Sequence, residues 1–138
     1  MGPVIQSFLS GFPYLMVHSA TTFLIIVIGV RLYMLATPHD EMALVRAGNS
    51  AAALSFAGTI FGIALPLAFV LAFSVSVVDI VLWGVVTLVL QLVAFFIVDR
   101  LVLKNIPERI ERGDMAAAIL LVAVKLSTAF VNAAAVSG

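Results

Sequence analysis

The chain has 138 residues, 64% of them hydrophobic and 10% charged, with a net charge of zero. Polar surface on that scale cannot coat a water-soluble globule, and a mean hydropathy of +1.26 makes lipid the natural solvent. The neutral balance excludes nucleic acid, which requires clustered Lys and Arg, and the lack of cysteine excludes disulfides, thiolate nucleophiles and Cys-ligated metals.

A secretory leader would carry a basic residue ahead of its apolar stretch. The first one here, Arg31, comes after it, so the segment is expected to be retained. Gln6 stands where N-myristoylation requires Ser or Thr. A helix crosses the hydrocarbon with about 20 predominantly apolar residues, because every backbone polar group must be bonded within it. Four stretches qualify: residues 13–36, 50–73, 80–102 and 115–136.

Pro13 is read as a first-turn proline of the first span. The connection that follows predicts a short interfacial helix, with Thr37 as N-cap, Pro38 in the first position, Asp40 and Glu41 in the opening turn, Arg46 in the last and Gly48 beyond. Asn49 is read as the cap of the second span, where Pro66 makes a packing-tolerated kink rather than a gate, and Asp79 as the cap of the third. Asn105, Pro107, Glu108, Arg109, Arg112 and Gly113 then repeat the first connection's signals in fewer residues, and Asp114 caps the fourth span. Met42, Val45, Ile106 and Ile110 are expected to rest against the headgroup boundary.

Arg31 and Arg46 flank the first connection, and Arg100, Lys104, Arg109 and Arg112 the third, whereas the Ser74–Asp79 turn and both terminal tails carry no Lys or Arg. Basic residues near helix ends stay in the cytosol, so both termini are expected outside. The run Arg46-Ala47-Gly48-Asn49-Ser50-Ala51-Ala52-Ala53-Leu54 also aligns with Glu111-Arg112-Gly113-Asp114-Met115-Ala116-Ala117-Ala118-Ile119. The fold expected is therefore an all-α membrane protein built as two parallel helix–interfacial turn–helix repeats, over 13–73 and 80–136, in a single domain. A chance match of alanine-rich helix starts is the alternative.

Lipid-embedded helices associate where small residues let backbones approach. The second span offers Ala52, Ser55, Gly58 and Gly62, the last two in GxxxG spacing, and the fourth is rich in alanine. Spans two and four are thus expected at the centre, with one and three outside. The GxxxG pair equally fits a contact between subunits.

The ordered set Thr37-Pro38-His39-Asp40-Glu41, Asn49-Ser50-Ala51-Ala52-Ala53-Leu54-Ser55-Phe56-Ala57-Gly58, Pro66, Gly113-Asp114-Met115-Ala116-Ala117-Ala118 and Asn132-Ala133-Ala134 resembles the YjfL-like proteins, domain-of-unknown-function family 350. The resemblance runs from Arg31 nearly to the C-terminus. It implies a small four-helix protein of the bacterial inner membrane and no established substrate. It also leads us to expect a small or apolar residue where this chain has Lys125.

Lys125 lies eleven positions past Asp114, about 16 Å along a helix and near the middle of a core about 30 Å thick. A charged Lys there costs at least about 2.5 kcal/mol, so it must face protein or water. Gln91 and Thr59 fall at similar depth, Thr128 and Asn132 share its helix face, and no Asp or Glu is expected within the hydrocarbon to pair with it. Three readings stand: a hydrated seam for an ion, proton or small amine, a lysine that fixes helix register, and a lysine whose acidic partner belongs to another protein or lipid.

Enzymatic chemistry is not expected. His18 and His39 sit at opposite ends of the first span and cannot share a metal, and neither HExxH spacing nor a GxSxG elbow is present. No cofactor is expected. The sequence thus points to a homo-oligomeric structural or regulatory envelope component in the lipid bilayer, whose charged loops offer a docking surface to a cytoplasmic protein. A small channel or transporter centred on Lys125 is the alternative.

Overall fold

A chain solvated by lipid must satisfy its backbone internally, and the computed structural model, which describes residues 2–102 and 104–138, does so with helices. In chain order these are α1 (Gly2–Ala36), α2 (Glu41–Arg46), α3 (Ser50–Phe73), α4 (Val77–Ile97) continued by a π-helical turn (Val98–Val102), α5 (Ile106–Glu111) and α6 (Met115–Ser137). Helices α1, α3, α4 with its extension to Leu101, and α6 are long and apolar enough to cross a membrane.

Helix α1 differs from expectation. Pro13 is interior rather than in the first turn, and the 35 residues rise about 52 Å, well beyond a core about 30 Å thick. The Tyr14 hydroxyl donates to the Val75 carbonyl at 3.3 Å, which sets Tyr14 level with the α3–α4 turn. Residues 2–13 therefore form an arm beyond that turn, with Phe8 and Leu9 exposed.

Local hydrogen bonding decides where the other helices start. Asn49 Oδ1 accepts from the Ala52 amide at 3.0 Å, and Asp114 Oδ1 from Ala116 and Ala117 at 3.0 and 3.2 Å. Thr37 does not cap α2. Its hydroxyl donates back to the Tyr33 and Met34 carbonyls, closing the end of α1, and the cap is Asp40, whose carboxylate accepts from the Ala43 amide at 2.9 Å. Nor does Asp79 cap α4. Ser76 does, accepting from the Asp79 amide, while Asp79 reaches back to the Val75 amide, both at 3.1 Å, in a near-reciprocal box.

Gly48 and Gly113 both adopt φ +84°, a conformation that costs glycine nothing, and each follows a short helix with the same bonds. Gly48 and Asn49 donate to Val45 and Leu44, as Gly113 and Asp114 donate to Ile110 and Arg109. Ile106 and Ile110 do not rest on headgroups. They are buried with Ala51, Ala52, Ala117, Ala118 and Leu121, so α5 packs onto the ends of α3 and α6.

The expected pairing of α3 with α6 is met, and the expectation that the third span lies outside is corrected. Contact between α3 and α6 is the most extensive, but α4 as well as α3 touches all three other spans. Helix α3 buries ten of 24 residues, α4 six of 21 and α6 six of 23, against five of 35 in α1, so α4 stands inside with α6 rather than outside it. Alanine lets α6 lie close along one face, whereas Gly84, Thr87 and Gln91 let neighbours approach α4 from several directions. The GxxxG pair serves two partners within the chain. A Cβ on Gly58 would stand 2.6 Å from Val122 Cγ2 of α6, and one on Gly62 2.5 Å from Phe95 Cζ of α4.

Gly58→Ala is therefore expected to destabilise the protein by about 1–3 kcal/mol, the usual cost of overpacking, with Val122→Ala in the same chain recovering most of it. Unfolding midpoints in detergent check this; equal loss with and without Val122→Ala would count against the contact.

Candidate functional site

Helical side chains lean toward their helix's N-terminus, so Lys125 reaches from mid-α6 toward the face that carries the charged connections. It is fully buried. Its Nζ donates to the Tyr33 hydroxyl and, at 3.2 Å, to Thr59 Oγ1, and stands 3.5 Å from Asp99 Oδ1. Tyr33 in turn donates to Asp99 Oδ2 at 3.0 Å. The ammonium also lies 4.3 Å from the centre of the Tyr33 ring and 5.1 Å from that of Phe95, which adds cation–π attraction.

This corrects the expectation that no carboxylate within a span pairs with Lys125. Asp99 belongs to the π-helical turn that prolongs α4, four residues past the buried Phe95, and its carboxylate faces the bundle beside Lys125. The five polar residues singled out by depth and face also divide. Thr59 joins Lys125. Gln91 does not: its Oε1 accepts from Asn132 Nδ2 at 3.0 Å, and that amide also donates to the Thr87 carbonyl at 3.2 Å. Thr128 bonds its own helix, donating to the Lys125 carbonyl at 2.8 Å. Ser55 and Ala52 are buried on α3, with Thr59 donating to the Ser55 carbonyl at 3.3 Å.

A cleft of about 420 Å³ opens between the end of α1, α2, the π turn and α5. Tyr33, Asp99 and Ser55 line it together with Glu41, His39 and Glu111. His39 Nδ1 meets the Glu111 carboxylate. Asp99 Oδ1, Glu41 Oε2 and His39 Nε2 are buried and have no hydrogen-bond partner among the described residues. Burial lifts the Glu41 carboxyl above the ordinary carboxylate range, Asp99 adding to the effect while Lys125 and His39 oppose it. At the start of α6, the Arg109 guanidinium holds the half-exposed Asp114 carboxyl below that range, helped by the Ala117 amide. Among the described residues no group of His, Cys, Asp and Glu is arranged to hold a metal ion.

The family described as Domain of Unknown Function (DUF350) matches residues 7–136. The chain belongs to the DUF350 family. It is 35% identical over 109 residues, 79% of this chain and 82% of that protein, to the "UPF0719 inner membrane protein YjfL" of Escherichia coli K12, and the O157:H7 protein of the same name matches equally. No solved structure matches. Membership makes this DUF350 chain similar to an inner-membrane protein and leaves the Lys125 site to be argued from its geometry.

Because the folded chain binds a proton at Glu41 more tightly than the unfolded chain does, the ionised carboxylate costs stability at neutral pH. That cost falls away as pH drops through the raised pKa toward the ordinary glutamate value of about 4.3. Glu41→Gln is accordingly expected to raise the unfolding midpoint at pH 7 and to have little effect near pH 4. A stabilisation independent of pH would contradict this origin.

Proposed function

We propose that this protein is an inner-membrane channel or transporter that binds a proton or small cation, amines included, at the Lys125–Asp99 pair. The observation that carries the reading is a fully buried lysine paired with a carboxylate that also lines an open cleft. Replacing such a pair by apolar side chains is often neutral or stabilising, so packing alone gives little reason for it. Ionisable groups inside spans usually mark ion or proton pathways. The reading assigns no enzymatic step.

The basic residues around the two charged connections support a cytosolic cleft with both termini outside. The matching glycine turns at Gly48 and Gly113 support two parallel repeats. A second reading, an oligomeric structural or regulatory component, draws on the exposed apolar arm of α1, which a second copy can cover, and on the charged loops as a docking face for a cytoplasmic protein.

Lys125→Met and Asp99→Asn separate the two. In reconstituted liposomes the first reading expects cation- or proton-driven flux from the wild type and its loss in both variants, with oligomeric state unchanged. Equal flux in all three proteins, or none in the wild type, would leave the structural reading.

A further inference from the structure

The face opposite the charged loops holds a second cavity, of about 330 Å³, into which Thr87 and Asn132 face, with Asp79 and Trp83 also lining it. Thr87 and Gln91 are fully buried, yet Thr87 Oγ1 and Gln91 Nε2 have no partner among the described residues. Buried polar atoms are seldom left unmet; Thr87 lines this largely apolar cavity, and Gln91 is joined to it through its bond with Asn132, so water entering there has polar groups to meet.

Along α4 and the π turn that prolongs it, Thr87, Gln91, Phe95 and Asp99 recur every four positions and so share one face. Three are polar and the fourth is Phe95. The Gln91–Asn132 bond lies one turn to one side of that ring, and the Lys125–Tyr33–Asp99 chain lies on the other. Phe95 is fully buried in the notch left by Gly62, edge-on to Tyr33 with ring centres 5.9 Å apart.

We infer that this second cavity is the outer half of a proton path ending at Gln91 and Asn132, and that Phe95 is the barrier separating it from Lys125. The inference rests on the transport reading above and names the proton as its substrate. Asp79 sits in the first turn of α4, about three turns from Gln91, with its carboxylate bonded to the Val75 amide; the inner end offers only neutral amides and a hydroxyl, which orient water but supply no charge to strip a metal ion of its hydration shell. Beyond the ring, the groups facing Lys125 are ionisable: Tyr33 from α1, Glu41 from α2 and Asp99 beyond α4, while α3 contributes only the hydroxyl of Thr59.

In one direction of transfer the Lys125 ammonium passes a proton to the Tyr33 oxygen as the Tyr33 hydroxyl passes its own to the Asp99 carboxylate. Asp99 releases that proton to water in the cleft, restoring the carboxylate. When Phe95 swings aside, a hydronium in the outer cavity gives its proton to the neutral Lys125 amine, leaving water and restoring the ammonium.

The natural chain contains no cysteine, so single substitutions report access directly. Thr87→Cys is expected to react with a membrane-impermeant thiol reagent only from the side of the termini, and Ser55→Cys only from the side of the charged loops. Phe95→Ala should raise potential-driven proton entry into liposomes several-fold, and adding Lys125→Met should bring it down to the level of Lys125→Met alone. Thr87→Cys that reacts from neither side, or well-assembled Phe95→Ala no leakier than wild type, overturns the inference. If Phe95→Ala fails to assemble, the two labelling results still decide. Lys125-dependent flux with an ineffective Phe95→Ala removes the barrier alone and leaves the transport reading standing; absence of proton movement in every protein removes both.

Discussion

One ammonium group touches all three of the other spans. Lys125 of α6 reaches Tyr33 of α1, Thr59 of α3 and, around the end of α4, Phe95 and Asp99. Lipid tails are as apolar as leucine, so they provide no hydrophobic force to press helices together. A charge excluded from water supplies a constraint of another kind, because any separation of the helices leaves it without partners. The packing agrees with that demand: Gly29, Gly58, Gly62 and Gly84 each sit against a neighbouring helix's side chain, which lets the bundle close around the lysine.

Much of the framework is legible in the chain because it depends on local chemistry. Hydropathy marks the spans, and Asn49 and Asp114 mark helix starts at which a side-chain oxygen meets an amide two or three residues on. Thr37 and Asp79 mislead because two candidate caps stand close together in each connection. The preference between them depends on which one the preceding helix end leaves free.

The site was less legible, since depth counted along a helix axis ignores where side chains lean. That count put Gln91 beside Lys125, whereas the lysine points one way and the amide lies a turn beyond Phe95. Asp99, next to Arg100, reads as the edge of a loop, and nothing local announces the π turn that prolongs α4 through it. Periodicity did hold usable signals. Thr87, Gln91, Phe95 and Asp99 keep four-residue spacing, and the buried face of α1 steps through His18, Thr22, Ile25 and Gly29 to Tyr33.

Asn49 has a mechanical consequence. While its Oδ1 caps α3, its Nδ2 donates to the carbonyls of Ile110 and Glu111 at 2.9 and 3.0 Å, which are the last acceptors of α5. One small amide thus rivets the root of one hairpin to the elbow of the other. Helix α5 cannot swing away as a free flap, and any tilt of α3 levers it along, widening or narrowing the mouth above Asp99 in a single stroke.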